Sequence, residues 1–336
     1  MTAPTAVLRR HGLVPTAADV ALQPLHQRSW CYRAQAAPAP AVLVKQARQD
    51  SEGGWSADVV DEGRRLRAVA RLLPTPPVAP RVLHVDAEDR LLVTEFLNDH
   101  DPLDVAVAAR PDVLDELGRT LATLHGVRGA RCGLPVVEHA RSVTDGLLAP
   151  TPRTLARYPD GYAELLVAVR ARGLAGPLTE LVAEWHCDTL VHGDLKSNNI
   201  LCSRGSSAVR LIDWETAGWG DGRWDLGCLV GDLLFGWLAG LRFSAGGTLD
   251  SWLASGEPFD VVQTRVRRLL AAYRSGGRDL SADDELVCLR YAALFLLQRT
   301  ASAAMHAPAL PALALAGLHV AGSLLRRPAE LRDTLL

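Results

Sequence analysis

Residues 190–216, LVHGDLKSNNILCSRGSSAVRLIDWET, constrain this chain more than any other stretch, because they crowd four polar groups that are costly to bury between short apolar runs. Asp194 sits in a His-Gly-Asp turn, Asn199 follows five residues later, and Asp213 and Glu215 lie fourteen and sixteen residues beyond Asn199. The apolar runs Ile200-Leu201 and Val209-Arg210-Leu211-Ile212 read as short buried strands joined by the turn Ser203–Ser207. A hairpin of that kind holds Asn199 and Asp213 side by side at one end. An amide oxygen beside a carboxylate suits a hard divalent cation, and magnesium takes only a few protein ligands, leaving room for phosphate oxygens. Asp194 is then available to accept a hydrogen bond from a substrate hydroxyl. A base, metal ligands and a hairpin to hold them are the parts that phosphoryl transfer uses.

The pattern H-G-D-x-x-x-x-N followed by I-D-W-E resembles the aminoglycoside phosphotransferase and choline kinase-like family, distant relatives of the protein kinases. That resemblance implies an α+β, two-lobed protein-kinase-like fold. A small N-terminal lobe, an antiparallel sheet with one main helix, spans 1–97, and a larger, mainly helical lobe spans 98–336. It also implies that Asp194 is the catalytic Asp, Asn199 a metal ligand and Asp213 the counterpart of the Asp in the kinase D-F-G motif. Glu215 either ligates a second metal or orients Asp213. His192, in the same turn, and Asp225, at the start of the next apolar helix, support the catalytic loop; Asp225 is also placed to cap that helix. Lys196, two residues after Asp194, either neutralises charge on the transferred group or is a solvated loop lysine.

Upstream, Gln27–Gln35 and Ala41–Gln46 read as two strands around an Ala/Pro turn, and the second carries a lone Lys45 after Val42-Leu43-Val44. Alone, Lys45 is as readily an exposed strand-end lysine. Ser56 can cap a helix running to about Leu73, on whose apolar stripe of Val59, Leu66, Val69 and Leu73 the carboxylate of Glu62 also falls. A buried carboxylate needs a partner, and Lys45 supplies it. The pair matches the strand-lysine and helix-glutamate pair with which kinases grip the nucleotide's α- and β-phosphates. No G-x-G-x-x-G separates the first two strands, and Gln27–Trp30 contain no glycine, so Ser29 is the remaining loop candidate for a phosphate contact. By the resemblance, Glu95, Phe96 and Leu97, ending the strand before the polar break 98–102, lie at the adenine edge. Leu201 and Ile212 join them as candidate nucleotide contacts. The implied nucleotide is ATP or GTP, with Mg2+.

Residues 1 to about 24 carry prolines and little periodicity, and read as a frayed arm or short helix. At 336 residues and a formal net charge of -2, the chain is long enough for two lobes and gives no electrostatic reason to expect nucleic acid or membrane as a partner. Leu226–Leu241 and Ala309–Leu325 are the most apolar segments, but each is shorter than the ~20 residues of a membrane span and is broken by Asp232 or by Pro311 and His319. Arg9 and Arg10 precede no apolar core, so no secretory signal is expected. The six cysteines show no C-x-x-C pair, which fits buried thiols in a reducing cytoplasm.

The acceptor is less legible. Leu286–Ala329 contain no Asp or Glu but carry Arg290, Arg299, Arg326, Arg327, His306 and His319, which suits an apolar or anionic partner better than a polycationic aminoglycoside. A small-molecule alcohol and a peptide Ser or Thr both fit, the latter with a lyase or other biosynthetic partner protein. A nucleotide-binding pseudokinase scaffold, nucleotidyl transfer and an aminoglycoside-resistance kinase are the other readings. The scaffold reading is weakened by the presence of Asp194, Asn199 and Asp213 together.

Overall fold

A computed structural model describes residues 3–16, 19–26, 30–47, 58–128, 133–244 and 248–336. They fall into two compact units: Met1–Pro102, Ala130–Leu134 and Asn199–Ala217 form one, and Leu103–Gly129, Pro135–Asn198 and Gly218–Leu336 the other. The first is built on an antiparallel sheet and the second is mostly helical, an α+β architecture of the protein-kinase-like kind. Residues 98–102 and 199–217, assigned by sequence to the helical lobe, group with the first unit, where they contribute a separate three-stranded sheet.

In the first unit, α1 (Pro4–Arg10) precedes β1 (Ala21–His26), β2 (Trp30–Gln35) and β3 (Val42–Gln46). After α2 (Val59–Leu72) come β4 (Val82–Asp86), β5 (Leu91–Glu95) and β6 (His100–Pro102). The antiparallel order is β1-β2-β3-β5-β4. Of the two readings of the N-terminal stretch, the short helix holds: Val7 and Leu8 of α1 are fully buried in one core with Ala34, Val44, Leu91 and Val93. β1 escapes sequence reading because Pro24 interrupts it, and it is tolerated because β1 is an edge strand, where one missing N–H costs the ladder little. Alternation along β3 buries Val42, Val44 and Gln46 and sends Lys45 to the opposite face. α2 begins later than expected. Its cap is Asp58, whose side chain accepts from Asp61 N, while Ser56 lies outside the described residues.

The second unit contributes α3 (Leu103–Ala109), α4 (Val113–Gly126), α5 (His139–Leu148), α6 (Pro152–Arg157), α7 (Asp160–Ala171), α8 (Ala175–Ala183) and β7 (Thr189–Val191). The hairpin β8 (Ile200–Ser203) and β9 (Val209–Leu211) then belongs to the sheet unit, since β8 pairs with β6 and Leu211 N donates to Val78 O. β10 (Gly218–Gly220) returns to pair antiparallel with β7, and α9 (Gly222–Gly240) follows directly. The chain ends in α10 (Leu249–Leu253), α11 (Phe259–Ser275), α12 (Ala282–Ala304), α13 (Ala312–Arg326) and α14 (Pro328–Leu335). α9 and α12 form the heart of this unit, with Gly227 of α9 set against Tyr291 and Cys288 of α12. Among the described residues no helix is long and apolar enough to cross a membrane.

The arginines that the sequence suggested for an anionic partner are largely engaged within the helical unit. Arg290 pairs with Glu184, Arg299 lies over the Phe235 ring, Arg326 donates to Arg172 O, and Arg327 pairs with Glu330. Arg268 holds Asp115 through two bonds of 2.7 and 2.6 Å, tying α11 to α4. Their distribution therefore says little about the acceptor.

Candidate active site

The sheet unit brings three charged groups together. Lys45 Nζ lies 2.8 and 3.0 Å from the two Glu62 oxygens and 2.6 Å from Asp213 Oδ1. Lys45 is reached from β3, Glu62 from the buried face of α2, and Asp213 from the residue pair just past β9. Burial works against a charged Lys45, but Glu62 and Asp213 outweigh it and hold its pKa above the usual lysine range. Burial pushes Glu62 upward, with the Lys45 ammonium opposing. The ammonium is thus committed to the charged form, flanked by two carboxylates.

At the end of the hairpin, Ile212 N donates to Asn199 O at 2.9 Å, extending the β8–β9 ladder by one rung. Asn199 and Asp213 consequently come from adjacent positions at the hairpin's end, and Asn199 is 5% exposed. Asp213 adopts left-handed backbone, φ 68° and ψ 58°, which is uncommon for a residue with a side chain and concentrates at functional sites. Carboxylate oxygens of Glu62, Asp213 and Glu215 lie within 4.8 Å of one another. Lys45 is shared by Glu62 and Asp213, and the candidate oxygen donors for a cation are Asp213 and Glu215 with Asn199 at the neighbouring hairpin position. Hard oxygen donors alone, without sulfur or imidazole, fit magnesium.

The helical unit holds the His192–Ser197 loop. Asp225 is fully buried and accepts from His192 N at 2.8 Å and from Gly193 N at 2.9 Å, while His125 Nε2 lies 3.2 Å from the same carboxylate. Burial opposes ionisation of Asp225, but His125, His192 and the Gly193 N–H hold it below the usual carboxylate range. Gly193 has φ 89°, a conformation that glycine adopts without strain. Its carbonyl accepts from Trp224 Nε1 at 2.9 Å. Asp194 N donates to His192 Nδ1 at 3.3 Å, and Lys196 Nζ binds Asp194 Oδ2 at 2.5 Å. His125 also meets the Tyr273 hydroxyl at 3.0 Å and is wholly buried.

Two carboxylates were not singled out by sequence. Asp232 accepts from Ser197 N at 2.7 Å and Ser197 Oγ at 2.5 Å, at the far end of the loop that Asp225 holds. The signal was present: positions 225 and 232 share one face of a helix, yet Asp232 reads only as an interruption in an apolar run. Asp221, not Asp225, caps α9 by accepting from Arg223 N. It is also bonded to the Arg223 guanidinium and the Tyr291 hydroxyl. The other candidates are less informative. Glu95 accepts from Arg81 N, Phe96 lies under the Arg33 guanidinium at 5.4 Å, and Leu97, Leu201 and Ile212 are half-buried. Ser29 lies outside the described residues.

An antiparallel sheet carrying this lysine beside a helix carrying the glutamate, followed by a mainly helical part, is the architecture of the protein-kinase-like phosphotransferases. The model of the phosphotransferase enzyme family matches residues 31–250; the chain belongs to this family and is a kinase. No curated protein sequence matches it. Among solved structures it is similar to a choline/ethanolamine kinase family protein from Mesorhizobium loti, at 19% identity and TM-score 0.62, covering 98% of this chain and 96% of that one. Choline kinase LicA from Streptococcus pneumoniae gives 15% and 0.56, with 96% and 98% covered. Macrolide 2'-phosphotransferase MphH from Brachybacterium faecium gives 18% and 0.53, with 96% and 97% covered. At these identities the likeness is one of fold.

Proposed function

We propose that the protein transfers the γ-phosphoryl group of ATP, or of GTP, to a hydroxyl of a small molecule. The Lys45–Glu62–Asp213 cluster carries this reading. A strand lysine held by a helix carboxylate, beside a carboxylate in strained backbone at a hairpin end, is the arrangement by which kinases hold nucleotide phosphates. Lys45 binds the α- and β-phosphates, and Glu62 keeps the ammonium aimed. Asn199 and Asp213, with Glu215, would hold Mg2+, which when bound neutralises charge on the phosphates. Asp194 orients the acceptor hydroxyl and takes its proton late, since a loose transition state asks little of a base early. Lys196, bound to Asp194 Oδ2, orients that carboxylate. His192, Asp225 and Asp232 fix the loop from which Asp194 projects.

The acceptor is taken to be a small alcohol because the neighbouring folds include a choline kinase and a macrolide 2'-phosphotransferase. The peptide alternative leaned on Lys196, and that ammonium is bound to Asp194. The test is turnover against a panel of amino-sugars, macrolides, choline-like and other alcohols, with mass spectrometry for phosphorylated products. Asp194→Ala is expected to abolish turnover while nucleotide affinity stays within a few-fold. Wild-type turnover in that variant overturns the role of Asp194, and release of pyrophosphate in place of ADP overturns phosphoryl transfer itself.

A further inference from the structure

We propose that His11, His84 and Asp86 form a binding site for a borderline divalent cation of the zinc class, separate from the Lys45–Asp213 cluster. A ring nitrogen of each histidine and a carboxylate oxygen of Asp86 all lie within 4.8 Å of one another. His11 follows α1 directly, while His84 and Asp86 stand two residues apart on β4, so alternation puts them on one face of the strand. The three lie at a surface depression also lined by Arg10 and Glu88, which leaves the site open to solvent.

The carboxylate is prepared for ligation. Asp86 Oδ1 accepts from both Glu88 N and Asp89 N at 2.9 Å, which fixes its orientation and turns Oδ2 toward His11 Nε2, 3.2 Å away. Outer hydrogen bonds of this kind orient ligating carboxylates in metal sites. His84 Nε2 is enclosed by protein and has no hydrogen-bond partner among the described residues, an expensive state for a buried ring nitrogen unless something else satisfies it. The two imidazole rings lie close together, with centroids 3.8 Å apart and planes tilted by 32°. Arg10 and Arg67 are the adverse cations; Arg10 Nη1 lies 3.9 Å from Asp86 Oδ2, but its Nη2 is nearer Asp89 at 3.3 Å. Two imidazoles and one carboxylate form a ligand set found for zinc, with further positions open to water.

Such a cation would clip the end of α1 to β4, an edge strand of the sheet. The full-length protein without an affinity tag, kept in excess Mg2+ to occupy the oxygen-donor site, is titrated with Zn2+ by equilibrium dialysis and with Co2+ by visible absorption. One equivalent is expected to bind at micromolar free metal, with a nitrogen and oxygen Co2+ spectrum lacking a thiolate band, and Zn2+ should raise the unfolding temperature. His84→Ala and His11→Ala should each weaken binding by more than roughly tenfold and remove the thermal shift. His11, at the end of α1, can be replaced without disturbing the strand, so its variant decides the matter if His84→Ala fails to fold. Binding that is absent in the wild type, unchanged in His11→Ala, or thiolate in character overturns the proposal.

Discussion

Asp225 and Asp232, seven residues apart on α9, accept backbone N–H groups at opposite ends of one loop, Asp225 from His192 and Gly193, Asp232 from Ser197. One helix face therefore fixes the span that carries Asp194. Asp225→Ala strips acceptors from two buried N–H groups and leaves His125 unpaired on one side. It should cost about 3–5 kcal/mol in urea unfolding. Asp232→Asn loses less, about 1–2 kcal/mol, and should stay folded. Its effect should appear in kcat, lowered on the order of ten- to a hundredfold by a shifted loop, with the nucleotide KM little changed. Equal kcat in Asp232→Asn and wild type would show that Ser197 needs no such anchor.

Asp225 also sets an acid limit to stability. Its folded pKa is depressed, by histidines and N–H donors that outweigh burial. The stability it contributes is complete above the unfolded value of about 3.9 and drains away as pH falls through the lower, folded value. Asp232 acts in the opposite sense, because burial raises its pKa: its contribution is complete below the unfolded value and is lost as pH rises through the folded one. Urea midpoints measured between neutral pH and the low carboxylate range should fall steeply in the wild type. Asp225→Asn, already weakened, should show a flatter decline there.

Lys45 and Glu62 are not equivalent targets. Lys45→Ala leaves Glu62, 3% exposed, without its cation and should destabilise the sheet unit by about 3–5 kcal/mol, as well as abolishing turnover. Lys45→Ala with Glu62→Gln removes both charges and should recover much of that stability without recovering activity. Thermal unfolding of the two single variants and the double variant measures the coupling. A double variant as unstable as Lys45→Ala alone would show that the cost is packing and not charge.

The contact between α9 and α12 depends on a missing side chain. A Cβ at Gly227 would lie 2.5 Å from Tyr291 Cβ and 2.8 Å from Cys288 O. Gly227→Ala should therefore cost about 1–3 kcal/mol, despite alanine's better helix propensity. Because Asp225 is two residues away, the strain should also lower kcat. Unfolding midpoints matching the wild type would mean that the two helices separate at little cost.

Local chemistry made part of this protein readable from sequence. Hairpin chemistry around Ser203–Ser207, helical spacing in α2 and alternation in β3 are short-range properties, and they were enough to bring Asn199 to Asp213 and Lys45 to Glu62. A buried carboxylate at position 62 required a cation, and few were available. What the sequence could not supply came from packing between distant segments. Pro24 hid an edge strand because its tolerance depends on having a solvent side. Sequence left α1 open between an arm and a short helix, because its two buried residues find their core only on the assembled sheet. The arginines of 286–329 suggested a ligand until their partners, Glu184 among them, came into view from elsewhere in the chain. Asp232 looked like a flaw in an apolar helix and proved to anchor Ser197. The sequence by itself determined which groups stand out as candidates, because their types and spacings are local. Only the tertiary structure decided what holds them, because a buried charge or N–H is satisfied by whatever folding brings within hydrogen-bond reach.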